Sequence, residues 1–162
     1  IPKFVPIPIN PDTLNKDSIW MLVDKSDYKL QVYYKKKLIR KYLAVFGPDR
    51  MQDKCKRGDR CTPEGWFTIV EKHESHLYNK FIGIDYPNDS TYIKRLELLK
   101  KGKIKETDQP GDHIGIHGIW KKGNNLIEKK VGWTDGCIAL RNEDIDELFL
   151  LINKGVKIYI RK

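Results

Sequence analysis

Short apolar runs broken by turn residues recur along the whole chain: IWMLVD (19–24), YKLQVYY (28–34), LIRKYLAVF (38–46), GWFTIVEK (65–72), FIGIDY (81–86), HIGIHG (113–118) and VKIYIRK (156–162). Side chains alternate between the faces of a strand, so runs of this length and alternation read as strands and not as helical turns. The SDYK and KKK breaks between the early runs predict an antiparallel meander. Two stretches carry helix signals. STYIKRLELLKKG has a Ser90 cap, Ile93, Leu96 and Leu99 on one face, and a stop at Gly102. In NEDIDELFLLINKG, Asn142 is the cap, Glu143 and Asp144 suit the positive end of the dipole, and Gly155 follows. Its buried stripe is predicted to be Ile145, Leu148, Phe149 and Ile152. The expected fold is mainly β, a β-sandwich or partly closed barrel with two short helices.

Four of the eight prolines fall in the first fifteen residues, which predicts an extended lead-in over residues 1–17 and a single domain over 18–162. Apolar residues at 40% and charged residues at 33% describe a folded chain, and no apolar run is long enough to span a membrane. The start at Ile1 reads as a processed product, a hint of export. Lys and Arg outnumber Asp and Glu by 31 to 22, a net charge of +9 that favours anionic partners. The basic residues are scattered, as in KRLELLKKGKIK, and do not form the aromatic-laced stripe of a nucleic-acid binder.

Of the three cysteines, Cys55 and Cys61 flank five residues in the turn-rich loop CKRGDRC. They lack the spacing and the second ligand pair of a zinc site, and no metal is expected. A disulfide between them is the expectation, which leaves Cys137 as the odd thiol. Cys137 stands in VGWTDGCIALRN, either as a small buried hydrophobe or as a reactive thiol. A thiol needs a base to act as a nucleophile, and His117 ends a strand-like run with nineteen residues between it and Cys137. Gly136 permits a sharp turn that gathers amides into an oxyanion hole with Cys137, and Gly118 lets its carbonyl approach the His117 ring. Alternation places His113 on the same strand face as His117, and both His113 and His73 read as structural.

IGIHG followed by WTDGCIALRN, with GPDRMQDKCKRGDRCTPEGWFTI and IDYPND upstream, resembles the L,D-transpeptidase catalytic domain (the YkuD-type family). The resemblance runs from about residue 18 to the C-terminus. It implies Cys137 as nucleophile, His117 as general base, Gly118 as the residue whose carbonyl orients that His, and Gly136 with Cys137 as oxyanion hole. Thr134 matches the hydroxyl residue that opens the motif. Asp135 stands where many members have His, and Ala139 where many have Arg, with Arg141 two residues further on.

Thr134, Asp135, Arg141, Tyr86, Trp133 and His76 are the candidate substrate-binding residues, and Trp120 is a further candidate for the cleft. The family implies acyl transfer on bacterial peptidoglycan stem peptides outside the cytoplasm, in the periplasm or cell wall. Cys137 would attack the L-centre carbonyl of the third stem residue and release the terminal D-residue to an amine or to water. No cofactor, no nucleic acid and no membrane span are expected, and a monomer is. The rival readings are a non-catalytic wall-binding domain of the same fold and a basic nucleic-acid-binding protein.

Overall fold

The structure, a computed structural model, describes residues 3–162. After a lead-in without strands and a single 3-10 turn at Lys16–Ser18, the chain forms β1 (Ile19–Asp24), β2 (Lys29–Tyr34) and β3 (Lys37–Leu43). Then come β4 (Gly65–Ser75), β5 (Asn79–Ile84), α1 (Asp89–Lys100), β6 (Gly115–His117) and α2 (Asn124–Glu128). The order finishes with β7 (Ile138–Ala139), α3 (Asn142–Leu151) and β8 (Lys157–Arg161).

The strands make one eight-stranded sheet in the order β3-β2-β1-β8-β4-β5-β6-β7. Its pairings are antiparallel except β1 with β8 and β6 with β7. β4 serves both halves. Gly65–Thr68 pair with β8, a register shift follows between Ile69 and Glu71, and the rest of the strand pairs with β5. Such a bulge bends and twists a strand, and the sheet folds over on itself there. An antiparallel bridge between Val45, just past β3, and Ala139 of β7 ties the two outer ends together. This is the sandwich-like closure expected of the sequence.

Alternation sets the core. Met21 and Val23 of β1, Leu30 and Val32 of β2, Ile158 and Ile160 of β8, and Ile82 and Ile116 from β5 and β6 are all fully enclosed. From α3, Ile145, Leu148 and Leu151 enter the same cluster, and Ile152 follows them. Phe149, expected in that stripe, is only partly buried. Leu151 replaces it because it lies three residues beyond Leu148 on the inner face.

Three helix features differ from expectation. α1 is capped by Asn88 and not Ser90, through a capping box with Thr91. It buries no residue, and Ile93 and Leu96 are more than half exposed, because the helix rides on the surface through Thr91, Arg95, Leu98 and Leu99. α2 is a third helix. Its five residues are too few for a periodic pattern, and Gly123 before it makes no side-chain cap bond, so nothing in the sequence marks it. α3 is preceded by Arg141 at the cap position, and Asn142 is its first helical residue.

Candidate active site

The carboxyl end of β6 and the entry to β7 form one seam. His117 pairs with Ala139 and Ile116 with Ile138 in parallel register. Carrying the alternation back from Ile138 puts Cys137 on the face shared by Ala139 and His117. Gly115, on that face of β6, has no room for a side chain, since a Cβ would stand 2.4 Å from the Ile82 carbonyl. His113 lies outside the strand, exposed and with φ of +54°, so it does not share the His117 face as expected.

His117 is 4% exposed, and its Nδ1 lies 2.7 Å from the Gly118 carbonyl. A carbonyl only accepts, so Nδ1 carries the proton and Nε2 is left with its lone pair free. The ring is stacked on Tyr78, with centroids 4.6 Å apart at 21°, and meets Trp133 at 5.6 Å and 58°. Trp120 adds to the cluster by an edge contact with Trp133 at 5.2 Å. Tyr78 comes from the turn between β4 and β5, and its carbonyl accepts the Gly118 amide at 2.9 Å. Gly118 is obligatory here because a Cβ would lie 2.5 Å from Asn142 Oδ1. That oxygen accepts the Ile119 amide at 3.0 Å and so locks the start of α3 to the end of β6.

Cys137 sits half-buried, its thiol donating to the His113 carbonyl at 3.3 Å. Burial pushes the thiol up to about 11; the Gly115 amide and the Lys54 charge pull the other way, and Asp135 adds to the rise. Burial also holds His117 below the ordinary imidazole value, against the opposing effect of the Gly118 carbonyl. The two shifts are opposite in sign and both favour the uncharged form, a neutral thiol at Cys137 and a neutral imidazole at His117.

Gly136 has φ of +137°, and a Cβ there would stand 2.8 Å from the Cys61 carbonyl, so the turn needs glycine. Its amide is engaged by Thr134 Oγ1 at 3.3 Å, whereas the Cys137 amide has no acceptor among the described residues. Thr134 is itself enclosed, and its hydroxyl donates to the Cys137 carbonyl at 2.7 Å. Both bonds of that hydroxyl lie within the turn.

Other candidates fall elsewhere. Asp135 is exposed and ion-paired with Arg60 at 2.9 Å, while Arg60 also donates to the Trp133 carbonyl. Arg141 is turned to its own helix, paired with Asp144 at 3.0 Å and Glu143 at 3.6 Å. Tyr86 is buried and donates to the Pro110 carbonyl. It lines a separate cavity of about 220 Å³ with Lys54, Phe67, Lys94 and Leu98, on the α1 side of the loop before β4. His76 is exposed at the β4–β5 turn, two residues from Tyr78. Tyr78 was the residue sequence reasoning missed; its only signal is its place in the turn that β5 delivers to His117, which no local pattern encodes.

The expected Cys55–Cys61 bridge is absent, and all three cysteines are free thiols. The loop is closed by a carboxylate instead. Asp59 accepts the amides of Cys55, Lys56 and Cys61 and pairs with Lys54 at 2.9 Å, while the two thiols turn to the Asp53 and Asp59 carbonyls. No group of His, Cys, Asp and Glu among the described residues is arranged to hold a metal ion. No helix among the described residues is long and apolar enough to cross a membrane.

Comparison with known proteins fits this geometry. The family model for the L,D-transpeptidase catalytic domain matches residues 18–160. Among solved structures, Bd1075 of Bdellovibrio bacteriovorus is 24% identical, with a TM-score of 0.63 over 89% of this chain and 48% of its own. The helical cell shape determining protein Pgp2 of Campylobacter jejuni is 25% identical, with a TM-score of 0.61 over 90% of this chain and 48% of its own. An L,D-transpeptidase from Mycobacterium smegmatis is 13% identical, with a TM-score of 0.58 over 90% of this chain and 59% of its own. The chain thus spans about half the length of these proteins. No curated protein sequence matches it. With a match over nearly its whole length, the chain belongs to the L,D-transpeptidase catalytic domain (YkuD) family.

Proposed function

We propose that residues 18–162 form a cysteine acyltransferase unit acting on peptidoglycan stem peptides outside the cytoplasm, with residues 1–17 as a lead-in. The observation that carries this reading is the fixed tautomer of His117, which leaves Nε2 free, at a strand register whose face continues to Cys137. In the reaction, Nε2 takes the Cys137 thiol proton as sulfur attacks the L-centre carbonyl of the third stem residue, and the carbonyl π pair moves to oxygen. The Cys137 amide donates to that oxyanion. Collapse re-forms the carbonyl and breaks the C–N bond, and the imidazolium returns its proton to the departing amine of the terminal D-residue. An amine or water then attacks the thioester with His117 again as base, giving a cross-link or a trimmed tripeptide.

Because the resting pair is neutral, proton removal accompanies attack and no thiolate accumulates beforehand. Trp133 and Trp120 are proposed to border the acyl-donor groove beside His117, and Arg60–Asp135 its rim.

Incubation with tetrapeptide muropeptides, read by mass spectrometry, tests the reading. Loss of the terminal residue or formation of dimers is the expected result. Unchanged muropeptides, with Cys137 also inert to a β-lactam acyl donor, would leave a wall-binding domain instead.

A further inference from the structure

Past the Val45–Ala139 bridge, the loop between β3 and β4 has no strand pairing, and one buried cation ties it down at three points. Lys25, just past β1, has no exposed side-chain surface. Its Nζ donates to the carbonyls of Gln52 at 2.9 Å and Thr62 at 2.8 Å, and the Glu64 carboxylate stands 2.9 Å away. An ammonium sunk this deep is a poor stabiliser, since it gives up its hydration before any pairing. What the arrangement does supply is a fixed position for Thr62.

Thr62 is fully buried, and its hydroxyl donates to the Gly136 carbonyl at 2.7 Å. The Gly136 C=O and the Cys137 N–H belong to the same planar peptide unit and point in opposite directions. Holding the carbonyl on one side therefore fixes where the amide aims on the other. A hydroxyl donating to that carbonyl also polarises the unit and strengthens its N–H as a donor. The Cys61 carbonyl, pressed against Gly136, blocks the peptide from swinging away.

We propose that Lys25 and Thr62 are positioning residues that aim the Cys137 amide at the developing oxyanion, an inference that rests on the acyltransferase reading above. Neither touches the reacting atoms. Lys25 sets the Thr62 backbone, Thr62 sets the Gly136 carbonyl, and the shared peptide plane delivers the effect to the oxyanion site. Loop and nucleophile turn are joined at the buried Gly136 carbonyl by this side-chain hydrogen bond, across 74 residues of sequence, and at the exposed rim by Arg60.

The test compares two reactions of Cys137, each read on its own peptide by mass spectrometry. Acylation by a carbapenem passes through an oxyanion, whereas alkylation by iodoacetamide does not. Thr62→Val should slow acylation by at least roughly tenfold, short of the 10²–10³ lost when an oxyanion donor is deleted outright. Alkylation should stay within about twofold, and Thr62→Ser should restore acylation. Lys25→Met should show the same split, and adding it to Thr62→Val should slow acylation little further, because the two act in series.

Equal loss of both reactions in soluble, folded variants, unchanged acylation in Thr62→Val, or fully additive losses would each overturn the relay. Failure of the underlying reading looks different: the unmodified protein would then acylate no faster than Cys137→Ala.

Discussion

Tyr78 lies flat against His117, ring centroids 4.6 Å apart, and its backbone carbonyl holds the Gly118 amide whose own carbonyl orients the same imidazole. One residue thus seals the ring from water and steadies the group that fixes its tautomer. Tyr78→Ala should expose the imidazole, relieve the desolvation that holds it below 6.5, and move the acid limb of acylation upward in pH. Tyr78→Phe keeps the stacked ring and should keep the profile. Acylation rates measured from pH 4 to 8 decide between these outcomes.

Cys137→Ala should abolish turnover and β-lactam adduct formation while the thermal midpoint moves by only a few degrees, since a thiol-to-methyl change in a half-buried site alters little packing. Cys55 and Cys61, both pushed upward by burial, should take no adduct in the unmodified protein. Intact-mass and peptide mapping after carbapenem treatment read both points; an adduct elsewhere sinks the assignment of Cys137.

The proposed reaction needs His117 neutral, and its folded value is depressed by burial. The acylation rate should therefore climb with pH through a midpoint below 6.5 and stay level into the alkaline range, where the thiol at about 11 has not yet ionised. The apparent constants belong to the Cys–His pair. His117→Ala should lower the rate by roughly 10²–10⁴ and remove the acid limb. Stopped-flow acylation across pH is the measurement.

Asp135 raises the Cys137 thiol, and Arg60 neutralises part of that charge from 2.9 Å. Asp135→Asn should lower the thiol value and speed iodoacetamide alkylation at pH 9, and Arg60→Ala should slow it. Neither should change stability by more than about 1 kcal/mol, because the pair is exposed. Alkylation rates and urea midpoints test both halves.

The strands, the α3 stripe and the Gly–Cys turn were legible in the chain because each is written in local spacing or in a residue type with one conformational use. Gly136 announces a turn by its freedom, and Ile145 and Leu148 announce a buried face by their separation. The partners of Thr134 and Arg141 were not legible, for the opposite reason. A hydroxyl or guanidinium beside a nucleophile reads as a substrate contact until the fold shows Thr134 bonded inward and Arg141 paired along its helix. Cys55 and Cys61 are free thiols in the structure, and Asp59 closes the loop that they flank. Tyr78 and Lys25 were invisible, their partners being delivered from distant strands.

The raised Cys137 value has a consequence for the survival of the nucleophile. Peroxides attack thiolates and leave thiols largely alone. With a value near 11, roughly one molecule in ten thousand carries the reactive anion at pH 7. The sulfur is thus shielded from peroxides by its own protonation, and under the proposed mechanism becomes vulnerable only when a bound acyl donor draws its proton to His117.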